Sequence, residues 1–418
     1  MEIFNSNQPV PVILKSDVCG YGVVRGLAKI GLQSIVLDSQ RTEAWCSRYT
    51  KAIQTPDPQL EESEYVKAIK EVGRRLKVKG ILWACADSTL YVVQKYRDEL
   101  ELYFKIPMAP NNVLHTCHDK SLSYNAALSA GVAVPRTHQF ATVREIDDFM
   151  RKLPFPSILK SSKPLTLNAK VYRVPNTSHM MCLIGQLIKQ GYGDVPVLVQ
   201  EDVPGPPTNL YTFASYCNKQ SKILCYSTAH KIRQGPDPQA GVATCIHVLP
   251  CPELVRISMQ FLQFVKFYGV SNIEFKRDAV TGEFKFIEIN PRPGISIWSA
   301  ASSGVNLVAA AYCDAIGQIY SGPKSSKVEL KWIDESTDPI LSLNGYKQRG
   351  YAYSHLSVRN WLQSIKGRKA FAFFSFSDPL PFVVMIIFYC YNLFRSLLYI
   401  LLSPRGVTLV KSVIGRFI

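Results

Sequence analysis

Short apolar runs alternate with amphipathic stretches over residues 11–112 of the chain. Residues 12–14, 34–37 and 80–84 are apolar runs of strand length, whereas residues 64–76 repeat apolar side chains at helical spacing. Alternation of strands with helices is typical of a parallel sheet that is covered on both faces. The pattern therefore predicts a small doubly wound domain at the N-terminus.

A glycine-containing turn is predicted between the first strand and the helix after it. Gly20, Gly22 and Gly26 have the spacing GxGxxxG, which differs from the GxGxxG of dinucleotide-binding sites. Asp38 ends the second strand, where such sites place an acid that binds ribose. Two interpretations stay open: a nicotinamide or flavin site, or a turn that lets strand and helix pack closely.

The pattern becomes mostly β further along the chain. Residues 119–130 predict a helix closed by Gly131, and residues 252–268 predict another. Thr281 and Gly282 predict a tight turn between the last two strands. The predicted strands here are residues 154–160, 195–200, 211–216, 223–228, 273–276 and 284–289. The fold class predicted for the whole chain is α/β and α+β.

A strongly apolar stretch covers residues 380–402, with Asn392 and Arg395 inside it. Its length suffices to span a bilayer, but Arg395 would be costly in hydrocarbon. A helix in the membrane interface or a re-entrant hairpin would let Arg395 reach the headgroups, and a pair of soluble core helices is the alternative. Basic residues flank the stretch on both sides: Lys366, Arg368, Lys369, Arg405, Lys411 and Arg416. We expect residues 380–418 to associate with a membrane.

Composition and charge narrow the class of protein. The chain has 418 residues, of which 47% are hydrophobic, and a net charge of +16; this suits two or three domains with large cores. The positive charge suits nucleotide phosphates or an acidic membrane surface, whereas no nucleic acid is expected because no Lys/Arg-rich run is interleaved with aromatics. The absence of a CxxC pair and of an N-terminal secretory pattern predicts reduced thiols and a cytoplasmic location.

Candidate chemistry is concentrated in the last predicted hairpin. Glu288 and Asn290 alternate onto one face of their strand, and Glu274 can join them from the neighbouring strand. Hard oxygen donors grouped in this way suit Mg²⁺ (or Mn²⁺) that bridges nucleotide phosphates, and a dication relieves repulsion between the carboxylates. Arg292 follows between two prolines, where a guanidinium can stabilise phosphoryl transfer. The alternative is a solvated hairpin with ordinary surface acids.

The sequence N-I-E-F at 272–275, followed by F-I-E-I-N-P-R at 286–292, resembles the metal-binding core of ATP-grasp enzymes. These enzymes include biotin carboxylase, carbamoyl phosphate synthetase and many carboxylate-amine ligases. The resemblance runs from about residue 12 to 320. It implies ATP and Mg²⁺ as cofactors, with the metal held by Glu274, Glu288 and Asn290. It also places Arg292 at the phosphates or at the carboxylate substrate.

The resemblance implies a domain order as well. A Rossmann-like domain at 1–115 would precede a two-lobed ATP-grasp domain at 116–320, with its small lobe at about 154–203. A C-terminal extension at 321–379 and an apolar helical tail at 380–418 would follow.

Further positions match the family in chain order. Lys120, at the start of a predicted helix, is implied to reach the ATP phosphates, and Lys160 ends the strand whose lysine contacts phosphate and adenine. The sequence V-Q-E-D-V-P-G at 199–205 resembles the hinge that holds adenine, with Glu201 near the base and Val203 offering its main chain. Taken singly, each lysine could be an ordinary solvated side chain.

A basic strand end follows the hinge. In the resembled family this strand end faces the acyl-phosphate site, which implies that Lys231 and Arg233 hold the substrate carboxylate or the transferred phosphoryl group. Their alternation predicts that both side chains lie on one face. An exposed basic edge that deters aggregation is the alternative. The loop at 161–170 departs from the family because it lacks the glycines that usually fold over the triphosphate.

The function implied by the resemblance is that of an ATP-dependent carboxylate-amine ligase of the D-aspartate ligase kind. Such an enzyme activates a small-molecule carboxylate as an acyl phosphate, which an amine then captures as an amide. The alternatives are a carbamoyl-phosphate- or carboxylase-like reaction, a nucleotide-binding protein without turnover, and a nicotinamide-dependent oxidoreductase. The expected partners are the two small substrates and a membrane surface, and a homo-oligomer stays open.

Overall fold

The structure, a computed structural model, describes residues 2–161, 171–235, 241–344, 346–348, 351–353 and 356–402. The strands are β1 (Pro11–Leu14), β2 (Ser34–Asp38), β3 (Thr50–Gln54), β4 (Gly80–Ala84), β5 (Phe104–Lys105), β6 (Thr137–Phe140), β7 (Ser157–Ser161), β8 (Tyr172–Val174), β9 (Val197–Glu201), β10 (Leu210–Cys217), β11 (Ile223–Gly235), β12 (Val242–Val248), β13 (Gly269–Arg277), β14 (Phe284–Asn290), β15 (Leu330–Ile333), β16 (Tyr346–Gln348), β17 (Tyr351–Tyr353) and β18 (Lys369–Phe371).

The α-helices are α1 (Val18–Ala28), α2 (Glu62–Arg75), α3 (Asp87–Lys95), α4 (Arg97–Leu100), α5 (Asn111–His118), α6 (Lys120–Ser129), α7 (Thr177–Lys189), α8 (Pro252–Phe264), α9 (Ile297–Ser302), α10 (Leu307–Ala315), α11 (Asp338–Asn344), α12 (Val358–Ser364) and α13 (Leu380–Leu402). Short 3₁₀ helices cover Glu2–Asn5, Glu43–Cys46, Val143–Lys152 and Pro207–Asn209.

The N-terminal part is a parallel sheet with the strand order β3-β2-β1-β4-β5. The apolar runs at 12–14, 34–37 and 80–84 form β1, β2 and β4, whose residues are all buried. β3 was not predicted, because its residues are half-buried or exposed and do not form an apolar run. The strand order reverses between β1 and β4, so the carboxyl ends of these two strands border a crevice.

The predicted glycine turn is wrong, because Gly20 and Gly22 lie inside α1. Asp17 caps this helix, and its side chain accepts hydrogen bonds from two amides of the first turn. A Cβ atom at Gly20 would lie 2.0 Å from the carbonyl oxygen of Lys15, so glycine is required by the close approach of α1 to the end of β1. Asp38 is 2% exposed and pairs with Lys15. These contacts favour the close-packing interpretation over a ribose site.

A second, four-stranded sheet has the order β6-β9-β7-β8 and antiparallel pairing. The predicted strands at 154–160 and 195–200 are present as β7 and β9. Helix α7 and the 3₁₀ helix Val143–Lys152 pack on this sheet around a hydrophobic cluster that includes Leu159, Met180 and Val197. The loop predicted as a glycine-poor lid lies outside the described residues from position 162 to 170.

The largest sheet has the order β14-β13-β10-β11-β12-β15-β18. Its pairs are antiparallel apart from β15 and β18, which run parallel. Phe275, Phe286 and Phe261 of α8 pack together on one face of it, with ring centroids 4.8–5.9 Å apart. The loop after β11 lies outside the described residues at 236–240. The opposite face of this sheet carries the candidate site.

The N-terminal sheet and the large sheet share one hydrophobic cluster. Val24 of α1, Ile297 of α9 and Val308 of α10 belong to it, together with Trp83 of β4 and Trp332 of β15. This shared core fixes the crevice at β1 and β4 against the end of the last hairpin.

The C-terminal part of the chain contacts both the large sheet and the N-terminal part. β18 extends the edge of the large sheet, and α13 packs beside the 3₁₀ helix Glu43–Cys46. Among the described helices, none is long and apolar enough to cross a membrane. The predicted basic flank formed by Arg405, Lys411 and Arg416 lies outside the described residues. The predicted domain boundaries at 115, 320 and 379 stay predictions.

Candidate functional site

The candidate site begins with the pairing of β13 and β14. Glu274 lies directly opposite Glu288, and Asn272 lies opposite Asn290. Strand alternation turns the intervening Ile273 into the core, where it is fully buried. The predicted oxygen donors Glu274, Glu288 and Asn290 therefore share one face of the hairpin.

A lysine lies beside these two facing carboxylates. Lys231 of β11 places its Nζ atom 2.7 Å from Oε2 of Glu274, and the two side chains are 6% and 17% exposed. Carboxylates on adjacent strands repel one another, and a nearby cation offsets that repulsion. The structure thus brings Lys231 to the hairpin donors, and its role in holding the substrate or the phosphoryl group stays a prediction.

Lys160 reaches the same region from the small lobe. Its ammonium group donates to Tyr124 Oη and to Oε1 of Gln200, the latter at 2.9 Å, and the residue is 4% exposed. Burial lowers the pKa of Lys160 to about 8, and the negative charge of Glu288 acts in the opposite direction. The hydroxyl of Tyr124 donates in turn to the carbonyl oxygen of Ile287 at 2.8 Å. A chain of hydrogen bonds therefore links the small lobe to β14.

Lys120 lies one helical turn before Tyr124 in α6. Asp119 caps this helix and accepts hydrogen bonds from the amides of Ser121 and Leu122. Burial raises the pKa of the Tyr124 hydroxyl, and the charges of Lys120 and Glu288 act on it with opposite signs. The start of α6 thus brings the charge of Lys120 close enough to act on the Tyr124 hydroxyl, to which Lys160 also donates a hydrogen bond. Lys120 is half-buried.

The predicted hinge at 199–205 begins within the last residues of β9. Both oxygens of Glu201 accept hydrogen bonds from cations, from Arg136 at 2.7 Å and from Lys285. Burial raises the pKa of Glu201, but these hydrogen bonds outweigh it and the pKa is lowered. Val203 is 3% exposed, and the intervening Asp202 amide donates to the carbonyl oxygen of Pro156 at 2.9 Å. The backbone after β9 is thus anchored to the residues that lead into β7.

Arg292 connects the hairpin to the N-terminal sheet. Its Nε atom donates to Oδ1 of Asp87 at 2.6 Å, and a second nitrogen lies 3.5 Å from Oδ1 of Asn290. Asp87 is the first residue of α3, three positions after the last residue of β4. Burial lowers the pKa of Arg292, but the hydrogen bond and the charge of Asp87 have the larger effect. The pKa is therefore raised above its ordinary value, and the guanidinium stays charged. Arg292 therefore lies where the crevice and the hairpin meet.

Arg233 is not brought to the hairpin donors. Its guanidinium forms two hydrogen bonds with Asp338, at 2.8 Å and 2.7 Å, and a third with Ser364. Asp338 is fully buried and also accepts from Trp361. The pairing of β11 with β12 shifts register between Lys231 and Arg233, and the two side chains have different partners. The expectation that both hold substrate from one face is therefore corrected for Arg233.

Three residues of the site were not predicted. Tyr124 and Gln200 share the ammonium of Lys160, and Asp87 holds Arg292. Asp87 carried a usable signal, because it lies three positions after the apolar run of β4, and the carboxyl ends of parallel strands border ligand crevices. Tyr124 and Gln200 carried none, since their partners are distant in sequence.

The donor set fits a hard divalent cation in its chemistry. Within the described part of the chain, no group of three or more His, Cys, Asp or Glu side chains could hold a metal ion. The set at the hairpin is instead two carboxylates and one amide, all oxygen donors of the kind that Mg²⁺ prefers. The ammonium of Lys231 lies beside the carboxylate of Glu274, where a cation offsets the repulsion between Glu274 and Glu288.

Sequence comparison finds one type of relative. No protein-family model matches the chain. A D-aspartate ligase of Enterococcus faecium (strain Aus0004) is 22% identical over 326 residues, which cover 73% of this chain and 76% of that protein.

Solved structures share the fold. The biotin carboxylase domain of the 2-oxoglutarate carboxylase of Hydrogenobacter thermophilus, determined with MgADP, ADP and bicarbonate, has a TM-score of 0.60 at 14% identity, covering 76% of this chain and 71% of that one. The L-amino acid ligase of Bacillus licheniformis has a TM-score of 0.57 at 12% identity, covering 77% and 76%. These structures show that the fold of this chain is the ATP-grasp fold.

Proposed function

We propose that this ATP-grasp protein is an ATP-dependent ligase that joins a small carboxylate to an amine and forms an amide by way of an acyl phosphate. The observation that carries the proposal is the placement of Glu274 opposite Glu288, with Asn290 on the same face and Arg292 at the strand end. The similarity to a ligase over 73% of the chain supports it.

Glu274, Glu288 and Asn290 would hold Mg²⁺. The metal, when bound with ATP, supplies positive charge to the transferring phosphoryl group. Lys231 balances the carboxylates before the nucleotide binds. With Glu274 holding the metal, the ammonium of Lys231 would be available to contact a substrate oxygen, and we assign it a place at the reacting group.

Lys120 and Lys160 would neutralise the ATP phosphates from two sides. Lys160 is preorganised because Tyr124 and Gln200 fix its ammonium, so little reorganisation is required when phosphate arrives. Glu201 and Val203 would form the adenine edge of the site. The salt bridges of Glu201 hold its oxygens on the protein, so we assign the contact with adenine chiefly to the main chain at Val203.

Arg292 would hold the carboxylate that becomes activated. It is charged, half-buried and fixed by Asp87 at the mouth of the crevice, where a substrate can approach from the N-terminal sheet. A guanidinium binds a carboxylate through two parallel hydrogen bonds, and this orients the attacking oxygen. Arg233 takes no part in this scheme, because Asp338 and Ser364 occupy its guanidinium. We assign it to holding the C-terminal extension.

D-aspartate is the first carboxylate to test, since the curated relative is a D-aspartate ligase. Hydroxylamine captures acyl phosphates as hydroxamates, so the carboxylate can be identified before the amine is known. We expect hydroxamate to form only with Mg-ATP and the correct carboxylate, and to be lost in Glu288→Gln. Phosphate release that does not depend on any carboxylate, with no hydroxamate from a broad set of amino acids, would refute the proposal.

We also propose that the enzyme works beside a membrane surface, through the apolar stretch of α13. The support is the composition of residues 380–402 and the basic residues next to them. An amine carried on a membrane-bound molecule would then be a suitable second substrate.

A further inference from the structure

Helix α13 packs on the rest of the protein through one face. Phe382, Met385 and Tyr389 contact the hydrophobic cluster shared by the two sheets, and Met385 is 4% exposed. The hydroxyl of Tyr389 also donates a hydrogen bond to the carbonyl oxygen of Ser336. Spacings of three and four residues place these side chains on one side of a helix. This side is fixed to the body of the protein.

The opposite side of α13 is apolar and exposed. Its side chains are spaced by three or four residues, so they form a continuous stripe. We call this stripe the outer face; it consists of Leu380, Val383, Ile387 and Tyr391, which are 55%, 44%, 61% and 59% exposed. A helix of a globular protein normally turns polar residues to this side, so the outer face requires a partner.

The chain segment that carries the outer face is basic. Residues 356–402 contain a single acidic residue, Asp378, which is 2% exposed and bonded to Tyr21 and Ser47. The exposed charges of the segment are therefore all positive: Arg359, Lys366, Arg368, Lys369 and Arg395. Arg395 follows Tyr391 by four residues and so lies on the side of the outer face.

Ring contacts join the basic residues to the helix. Lys369 begins β18, and Phe371 ends it. Phe371 contacts Phe374 at a centroid distance of 5.9 Å, and Phe374 contacts Phe382 of α13 at 5.1 Å. Phe376, which also packs on Phe374, is 93% exposed. We call Lys366, Arg368 and Lys369 the basic edge; the aromatic contacts place it beside the first turn of α13.

We propose that the outer face and the basic edge dock together on an anionic lipid surface, with α13 lying along that surface. The proposal rests on the membrane clause of the proposed function and specifies the contact. A helix that is fixed on one side to the protein cannot be surrounded by lipid, so its first turns lie in the interface. Apolar side chains there enter the acyl boundary, while nearby lysines and arginines bind anionic headgroups.

A second copy of the chain fits this surface less well. A symmetric contact would bring each basic edge close to its equivalent, because both partners of a two-fold interface use the same surface. Like charges that face each other destabilise such a contact. Charge complementarity therefore favours an anionic bilayer.

The test is flotation of the full-length protein with two kinds of vesicle, one of phosphatidylcholine alone and one of an equal mixture with phosphatidylglycerol. We expect binding to the mixed vesicles only. The double variant Arg368→Gln/Lys369→Gln should reduce that binding roughly 25-fold, since each basic residue near such a surface contributes roughly fivefold. The variant Ile387→Gln/Tyr391→Gln should reduce it as well.

Matched controls separate specific docking from general effects. Lys219→Gln/Lys222→Gln removes two exposed charges from the β10–β11 turn, and Ile319→Gln removes a side chain that is 94% exposed. Both should bind vesicles like the wild type. All variants should retain hydroxamate formation without vesicles, so a failure of docking leaves the proposed ligase activity untouched.

Three results would overturn the proposal. One is the absence of binding to the mixed vesicles, and another is equal binding to both vesicle types that survives loss of the basic edge. The third is a concentration-dependent dimer that disappears in Ile387→Gln/Tyr391→Gln, because a second copy would then cover the outer face.

Discussion

The Nζ atom of Lys231 lies 2.7 Å from Oε2 of Glu274, and Glu274 faces Glu288 across the hairpin. The ammonium therefore offsets charge at the point where two carboxylates oppose each other. We interpret Lys231 as the cation that balances the two facing carboxylates. A dication held by the same carboxylates would take over this role.

Replacing Lys231 should expose this role. Lys231→Met leaves two facing carboxylates without their nearest cation, and it should lower the free energy of unfolding by about 3 kcal/mol. Because MgADP brings its own positive charge, the loss should shrink when MgADP is present. Urea unfolding with and without MgADP measures both values. Lys231→Arg is the control that keeps the charge, and an equal loss under both conditions would contradict the interpretation.

Asp87 should act on catalysis through Arg292. Asp87→Asn weakens the hydrogen bond that fixes the guanidinium and should raise KM for the carboxylate, with a fall in kcat/KM of roughly tenfold to a hundredfold. KM for ATP should change little. Asp87→Glu should recover part of the loss, and Asp98→Asn, an exposed acid in the neighbouring α4, should have no effect. An equal rise in both KM values would instead indicate general damage to the site.

The lowered pKa of Lys160, about 8, makes nucleotide affinity dependent on pH. The ammonium is charged below this pKa, so its attraction for phosphate is present at neutral pH and lost as the pH rises through 8. We expect calorimetric titrations to show MgADP affinity falling roughly fivefold between pH 7 and 9. Lys160→Met should bind weakly at both values and show a flatter profile. A wild-type profile that is flat over this range would contradict the assignment.

The same pKa has a consequence for stability. The folded value lies below the ordinary 10.5, so the unfolded chain binds more protons between the two values. The contribution of Lys160 to the free energy of unfolding should therefore rise with pH across that window. The difference in unfolding free energy between the wild type and Lys160→Met, measured at pH 7.5 and 9.5, should change in that direction.

The pair formed by Arg233 and Asp338 should be structural. Asp338→Ala leaves a buried guanidinium without its carboxylate and should cost about 3–5 kcal/mol of unfolding free energy. The double variant Arg233→Met/Asp338→Ala should lose clearly less than the sum of the single variants. Glu64→Ala, which removes an exposed ion pair with Lys67, should cost less than about 1 kcal/mol. Loss of hydroxamate formation in the double variant, despite normal unfolding, would restore a catalytic role for Arg233.

Local sequence patterns predicted the strands whose burial or alternation is visible in their own residues. β1, β4, β13 and β14 were visible because burial or alternation leaves a period in the sequence. The positions of β8, β12 and β18 were not, since these strands are short, mixed in polarity or defined by a partner far along the chain. Gly20 and Gly22 misled because glycine in a helix that closely approaches a strand has the same local appearance as glycine in a turn.

The candidate site divides in the same way. Glu274, Glu288 and Asn290 were predictable because a hairpin is local and its alternation fixes which side chains share a face. Arg233 was not, because its partner Asp338 is more than a hundred positions away and a register shift separates Arg233 from the contacts of Lys231. Sequence patterns therefore predict which side chains share a face within one pair of neighbouring strands. Contacts between residues on distant strands or helices can be identified only from the structure.

We propose that the hairpin donors hold the metal of a metal–nucleotide complex. The most direct measurement is calorimetric titration of ADP with Mg²⁺ and with EDTA into the wild type, Glu288→Gln and Glu283→Gln. Glu283 is an exposed acid at the turn of the same hairpin and provides the matched control.

We predict that Mg²⁺ strengthens ADP binding roughly tenfold or more in the wild type and in Glu283→Gln, and that Glu288→Gln loses this gain. An undiminished gain in Glu288→Gln would contradict the claim that these carboxylates bind the metal.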